Sequence, residues 1–409
     1  MSSKVYNKYW PLLAIAFLFY GCAATGGSRS ASGTVVKTED RLRAEQMVHD
    51  QNIPEELQPY YIDLYSQGKQ NEVLHAMRAG LAALRMQRFD LAEKAFDLAI
   101  LDVEALQEGA KQAERAKSKF VAEQEKWFKG ESYERAALFF YRGLLYSRAG
   151  DHGNASACFR RCQIQDITGD DAKDFAGDWS SAEIALAQAS YWNGIPSDAD
   201  AALQRRKTFA SLPSGNIFLP SDQSNLLVVI ETGSAPLKYR EGKQKEKLRF
   251  GERSGNVVAI RTEDLDGVKI TTAAENLYTQ ATTRGTRQID YVLKGKAEFK
   301  EDTANAAGGL AMGAVAASNV DRSGIATGIL ALASIGTMIA SSATHSEADI
   351  RAWDNLPDNI FLLPLHVSPS QATIHLIPLA ERGTELTPVD VPNPLLSGET
   401  KTAVVFIKL

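Results

Sequence analysis

Chemistry in this chain would have to come from a few thiols, imidazoles and charged clusters. Cys22 closes the stretch Leu18-Phe19-Tyr20-Gly21-Cys22. Cys158 and Cys162 lie four apart in a helical stretch, so they share a face but are poorly aligned for a disulfide. They read as two small buried apolar residues, with a redox pair or a metal half-site as the alternative. The histidines His49, His75, His152, His345, His366 and His375 are scattered, and none forms an HExxH or a paired Cys/His motif. Gly242-Lys243 lacks the upstream glycine and the Ser/Thr of a phosphate-binding loop, and Gly233-Ser234 is not a nucleophile elbow. Glu131 and Glu134, beside Tyr133 and Arg135, have the spacing of a solvated helix face rather than of an acid/base pair. Asp349, Arg351, Trp353 and Pro357 form the densest remaining cluster. Arg351 can bridge Asp349 or Asp358 and stack on Trp353. This predicts a structural lock where the chain enters a strand, with ligand binding as the alternative. No catalytic, cofactor-binding or metal-ligating residue is assigned.

The elements around Cys22 define its context. Lys4 and Lys8 precede an apolar run from Trp10 to Tyr20, and the small Gly21 precedes the cysteine. A basic start, a short apolar core and a small residue predict a secretory signal peptide over residues 1–21. The run falls short of the about 20 apolar residues that span a bilayer. Cysteine directly after Gly21 resembles the lipobox of bacterial lipoproteins, which implies cleavage before Cys22 and lipidation of its thiol. Ala23 and Ala24 follow, with no Asp. By resemblance to sorting rules for such lipoproteins, this implies the outer membrane, with the protein facing the periplasm. Residues 22–50 are expected to hold the lipidated cysteine and a flexible tether, rich in Gly, Ser, Ala and Thr up to residue 38.

The chain has 409 residues and a net charge of -5, enough for two or three domains. A pI near 5.8 argues against general nucleic-acid binding. The expected class is α+β. Residues 51–212 are helical in character and carry an internal repeat of small and large residues. Gly80, Ala92 and Phe96 recur as Gly143, Ala155 and Phe159, and again as Ala187, Ala199 and Leu203. Gly150 and Gly194 fall where a first helix should stop. The pattern resembles the tetratricopeptide (TPR) repeat, with irregular spacings of about 63 and 44 residues between copies. Residues 213–409 are expected to be mainly β, with strands near 226–230, 257–261, 268–271, 359–367, 372–379 and 402–409, and with 238–247 as a solvated loop or hairpin. Residues 304–343 interrupt them: Ala304 to Val320 and Gly324 to Ala343 are uncharged and Gly/Ala-rich, predicting a helical hairpin that is buried or inserts into a membrane.

Three stretches carry a wider resemblance. Trp127 to Ala136 runs into Phe140 to Tyr146, Val229 to Lys238 contains Gly-Ser-Ala-Pro-Leu-Lys, and Glu347 to Asp358 contains Asp-Ile-Arg-Ala-Trp-Asp-Asn-Leu-Pro. Together with the lipobox and the hairpin, they resemble a family of bacterial TPR-containing envelope lipoproteins, often encoded beside a CsgG-like or LpoB-like lipoprotein. The resemblance implies a lipid-anchored scaffold without cofactors that binds a protein partner in the cell envelope, such as a CsgG-like lipoprotein. The alternatives are a membrane-inserting component of a homo-oligomer, acting through residues 304–343, and, from location alone, a hydrolase of cell-wall glycans or peptides.

Overall fold

The computed structural model describes residues 36–113, 127–167, 178–209, 216–282 and 347–409. Cys22, the signal region 1–21 and the hairpin segment 304–343 lie outside the described residues. The described residues hold both helices and strands, an α+β protein.

Six helices form three antiparallel pairs: α3 (Glu72–Arg85) with α4 (Phe89–Ala113), α5 (Ser132–Arg148) with α6 (His152–Ile167), and α7 (Ser180–Trp192) with α8 (Pro196–Phe209). Small residues set how closely each pair approaches. A Cβ at Gly80 would sit 2.5 Å from the Phe96 ring, and one at Gly143 would sit 2.6 Å from the Phe159 ring. In the third pair the corresponding positions hold Ala187 and Leu203. Each first helix ends in a left-handed residue that opens the turn to the second. Gly150 and Gly194 fill this place with φ of 79° and 74°, whereas Gln87 adopts φ 57° at the corresponding point of the first pair.

Two further helices, α1 (Thr38–Asp50) and α2 (Gln58–Ser66), pack together ahead of the pairs. This shortens the tether expected over 22–50. Ala44 and Val48 recur on one face of α1 and are buried, and Val48 joins the main core, so helix replaces flexible chain from Thr38 onward.

The strands build two four-stranded sheets and a hairpin. The first sheet has the order β10 (Ala403–Lys408), β1 (Leu226–Thr232), β7 (Asn359–Leu365), β6 (Glu275–Asn276). β1 runs parallel to β10 and antiparallel to β7. The second has the order β5 (Gly267–Thr272), β4 (Ala259–Asp264), β8 (Thr373–Leu379), β9 (Val389–Pro392), all antiparallel. β2 (Leu237–Glu241) and β3 (Lys247–Gly251) form the hairpin, and the short helix α9 (Leu277–Thr282) touches β3.

Every residue of β1 is buried, because the strand is covered on both faces. Leu227 and Val229, with Ile360 and Leu362 of β7 and Val404 of β10, meet the helices. Leu226, Val228 and Ile230, with Phe361, Leu363 and Leu365, meet Ile260, Ile374, Leu376 and Val391 of the second sheet. The layers therefore run outer helices (α4, α6, α8), inner helices (α3, α5, α7), first sheet, second sheet. The inner helices are buried along nearly their whole length, between the outer helices and the sheet. Among the described residues, one hydrophobic core thus crosses the sequence boundary at 212/213.

Candidate functional site

The segment from Glu347 to Asp358 crosses the inner face of the helices before it enters β7, and the charged groups of the fold converge on it. Trp353 is its apolar anchor. Its ring is fully buried, edge-on to Phe96 at 6.2 Å and to Tyr141 at 6.0 Å. The aromatics that fill the grooves between helix pairs therefore also form the seat for this indole.

The backbone on either side of Trp353 is held by a buried ion pair. Lys238 Nζ lies 2.9 Å from Glu134 Oε2 and donates to the Arg351 carbonyl at 3.0 Å. The Trp353 amide donates to Glu134 Oε1 at 2.8 Å. Glu134 also closes the start of α5, accepting from the Glu131 amide at 2.7 Å in a capping box. The sequence expectation of a solvated face at Glu131 and Glu134 is overturned for Glu134, whose carboxylate has no solvent exposure. Helical spacing alone cannot distinguish this case, because the partner cation lies 104 residues away. Residues 238–247 do form a hairpin, but its first cation points inward: only 1% of the Lys238 side chain is exposed. Its stem passes Phe128 and Tyr133, each ring centroid 5.8 Å from the ammonium.

Arg351 bridges Asp349 in a fork, with Nε 3.0 Å from both carboxylate oxygens and Nη2 2.7 Å from Oδ2. Its Nη1 donates to Asn71 Oδ1 at 2.8 Å. Of the two carboxylates expected for it, Asp349 is the one used. Asp358 instead accepts from Asn276 and Asn359. The expected stacking on Trp353 is not formed; the guanidinium lies over Phe128 at 5.4 Å. The indole sits deep between aromatic rings, where a cation beside it would lose its hydration. Arg78 of α3 completes the hold: it donates to the Ala352 carbonyl at 3.0 Å, pairs with Asp354 at 2.8 Å, and its own carbonyl accepts from Asn355 at 3.0 Å. Pro357 is buried where the segment turns into β7.

A second buried cluster lies at the end of β1. Glu231 faces the helices by the strand's alternation, pairs with Arg85 of α3 at 2.6 Å and accepts from the Tyr141 hydroxyl of α5. Burial, then the adjacent Glu231 charge, raise the Tyr141 hydroxyl well above its usual range, so it remains a donor. Gly233 follows with φ 67°, and a Cβ there would lie 2.7 Å from Asp358 Cβ. The Gly-Ser-Ala-Pro stretch is therefore a tight exit from β1 against the end of the Asp349–Pro357 segment.

Close to Arg351, His75 is buried, and burial with Arg78 and Arg351 holds its pKa down to about 3. Cys162 is buried and Cys158 half-buried. Desolvation pushes the Cys158 thiol up to about 11, which makes it a poor nucleophile. Among the described residues, no group of His, Cys, Asp and Glu has the geometry of a metal site. No described helix is long and apolar enough to cross a membrane. The arrangement holds a peptide segment against helices through charge-assisted hydrogen bonds, which positions its backbone. Compared with family models, curated proteins and solved structures, the chain finds no match.

Proposed function

We propose that this protein is a non-enzymatic, lipid-anchored envelope scaffold that binds a protein partner, a member of the TPR-containing lipoprotein family it resembles. The observation that carries the reading is the repeated small-residue/aromatic contact, Gly80 on Phe96 and Gly143 on Phe159. It supports a TPR-like stack of helix pairs, an architecture whose extended surfaces serve protein recognition. In such a stack the first helices of each pair line the inner face. Here that face is covered by the chain's own sheet and by Trp353. The surface left for a partner is formed by the outer helices α4, α6 and α8 and by the sheet margins. A lipid on Cys22 would hold this surface beside one membrane leaflet and raise its effective concentration toward partners there.

The test is affinity isolation of the lipidated protein from solubilised envelopes. A stoichiometric partner, a CsgG-like lipoprotein among the candidates, is expected. Recovery as a lone monomer in several gentle detergents overturns the scaffold.

The second reading, a homo-oligomer or membrane component acting through residues 304–343, draws on the flanks of that segment. α9 ends at Thr282 beside β3, and Ala348 donates to the Lys245 carbonyl at the β2–β3 turn, so both flanks meet one hairpin. Replacing 304–343 with a short Gly/Ser loop tests it, with Cys22→Ser combined to remove the lipid. Unchanged assembly size and unchanged membrane association of the folded deletion protein sink this reading.

A further inference from the structure

The outer edges of the two four-stranded sheets are not equally protected. β6 is two residues long, and β9 is four residues long and ends in Pro392. Beside β5, the Thr272 amide meets this chain's own Asn216 carbonyl at 2.9 Å. Short length, proline and cover are the usual defences of a sheet edge. β10 has none of them along its outer flank. It runs six residues, Ala403–Lys408, the first five apolar, and among the described residues it pairs only with β1. Its single charge does not guard it, because Lys408 Nζ is turned back to the Gly233 carbonyl at 2.7 Å.

Two hydrogen bonds fix which backbone groups of β10 face outward. The Ala403 amide donates to Asn225 O at 3.0 Å and the Leu409 amide to Glu231 O at 2.9 Å, both on the β1 side. Alternate residues of a strand turn their N–H and C=O to the same neighbour. Val405 and Ile407 therefore also bond toward β1, and Val404, Phe406 and Lys408 turn their groups outward. No described residue bonds to those groups from that side. Exposure agrees. Val228, Val229 and Ile230 of β1 lie beside Val405, Phe406 and Ile407 of β10, between the same helices and the same second sheet. The β1 residues are at most 1% exposed, yet their β10 neighbours are only half-buried. What β10 lacks is a strand on its outer flank.

From this geometry we propose that the outer edge of β10 is the interface with a second copy of this chain, the two β10 strands pairing antiparallel about a two-fold axis at Phe406. The strand is its own complement in that register. Phe406 faces Phe406, Val404 faces Lys408, and Val405 faces Ile407, so every outward N–H and C=O finds a partner. Cross-strand aromatic and β-branched pairs of this kind are stabilising. The charges also agree. The two Lys408 side chains stand about 13 Å apart along the strands, beyond the screening length of about 8 Å. Parallel pairing brings them together instead, and like charges side by side are destabilising. A two-fold axis through the sheet keeps both helical layers on one face and closes the assembly at two copies. The outer edges of the joined sheet are then the two-residue β6 strands. A loose segment of another protein is the weaker occupant, since it loses chain entropy on ordering, whereas a second β10 is already held by its own β1. This self-pairing needs no other protein and stands apart from the scaffold reading.

The test uses the full chain, purified in detergent. Sedimentation should show a monomer passing to a dimer as protein concentration rises. Register is read by cysteine pairing. Val405→Cys copies mixed with Ile407→Cys copies should give at least ~5-fold more disulfide-linked dimer than either variant alone, because these positions oppose each other at about 4.5 Å between Cα atoms while like positions lie diagonally. The linked peptides are identified by mass spectrometry. Phe406→Pro removes an outward N–H without touching the β1 ladder and should abolish the dimer. Val405→Lys with Ile407→Lys sets lysines opposite each other across the axis and should do the same through the side chains, a check that holds even where the proline disturbs the strand. Both variants are read on protein whose circular dichroism is unchanged. A monomer at every concentration, equal linking in the mixture and in each variant alone, or a dimer that survives in both edge variants overturns the assignment. A dimer lost only when residues 304–343 are replaced also overturns it, and favours the second reading above.

Discussion

Glu134 and Lys238 are the residues on which the central segment depends. Removing one member of a buried pair strands the other, at a cost of about 3–5 kcal/mol. Lys238→Met should therefore destabilise the protein by about that amount in urea unfolding, since Glu134 is left desolvated. Adding Glu134→Gln, which keeps an acceptor for the Trp353 amide, should recover a large part of the loss; equal stability of the single and double variants would refute the pairing. His75 makes a prediction in pH. Its neutral form is held to about pH 3 in the folded protein, by burial and then by Arg78 and Arg351, with Asp63 4.0 Å away as the facing carboxylate. Between there and its ordinary 6.5 the unfolded chain binds the extra proton, so stability falls as pH drops through that window. The slope from this group is at most about 1.4 kcal/mol per pH unit, and above 6.5 it vanishes. Unfolding of His75→Gln measured from pH 4.5 to 7 should show a shallower slope than the parent. These roles were only partly legible in the sequence. The Asp349–Arg351 bridge is two residues long and could be read directly, whereas the Glu134–Lys238 pair spans 104 residues and has no local signature.

At the scale of elements, close contact between paired helices depends on the glycines. Gly143→Ala drives a methyl into the Phe159 ring and should cost about 1–3 kcal/mol. Phe159→Leu on that background should return part of it, and strict additivity of the two changes would show that the contact is not the cause. Two helix ends and most strands could be read from pattern. The apolar runs at 226–230 and 403–407 became β1 and β10, and the left-handed turns fell at Gly150 and Gly194. What pattern could not supply was partnership. α1 carries only Ala44 and Val48 as buried positions, too weak a stripe to stand out from a tether. β9 is four residues with mixed exposure and gives no periodic signal. The meeting of α3 with β10 depends on chain segments more than 300 residues apart.

At the scale of the whole molecule, the anchor and the folded unit should be separable. If Cys22 is lipidated, Cys22→Ser should abolish acyl labelling and shift the protein to a precursor or soluble form, while the purified unit keeps its unfolding midpoint. Normal labelling of Cys22→Ser would remove the lipid anchor from the proposal. The sheet order carries a further consequence, for assembly in time. β1 is flanked by β10 and β7, strands that follow it by 177 and 133 residues at their starts, while the helix pairs close over short turns. Local contacts form fast and distant pairings slowly, so the helical pairs should be in place while β1 is still unpaired. During that interval a strand with five consecutive apolar residues, Leu226 to Ile230, is exposed on both edges, a form prone to aggregation. Only arrival of β10 closes one flank, so a chain ended before Ala403 should refold its helices and yet precipitate. If the protein is exported, as proposed, this strand order would call for a holding chaperone until β10 docks.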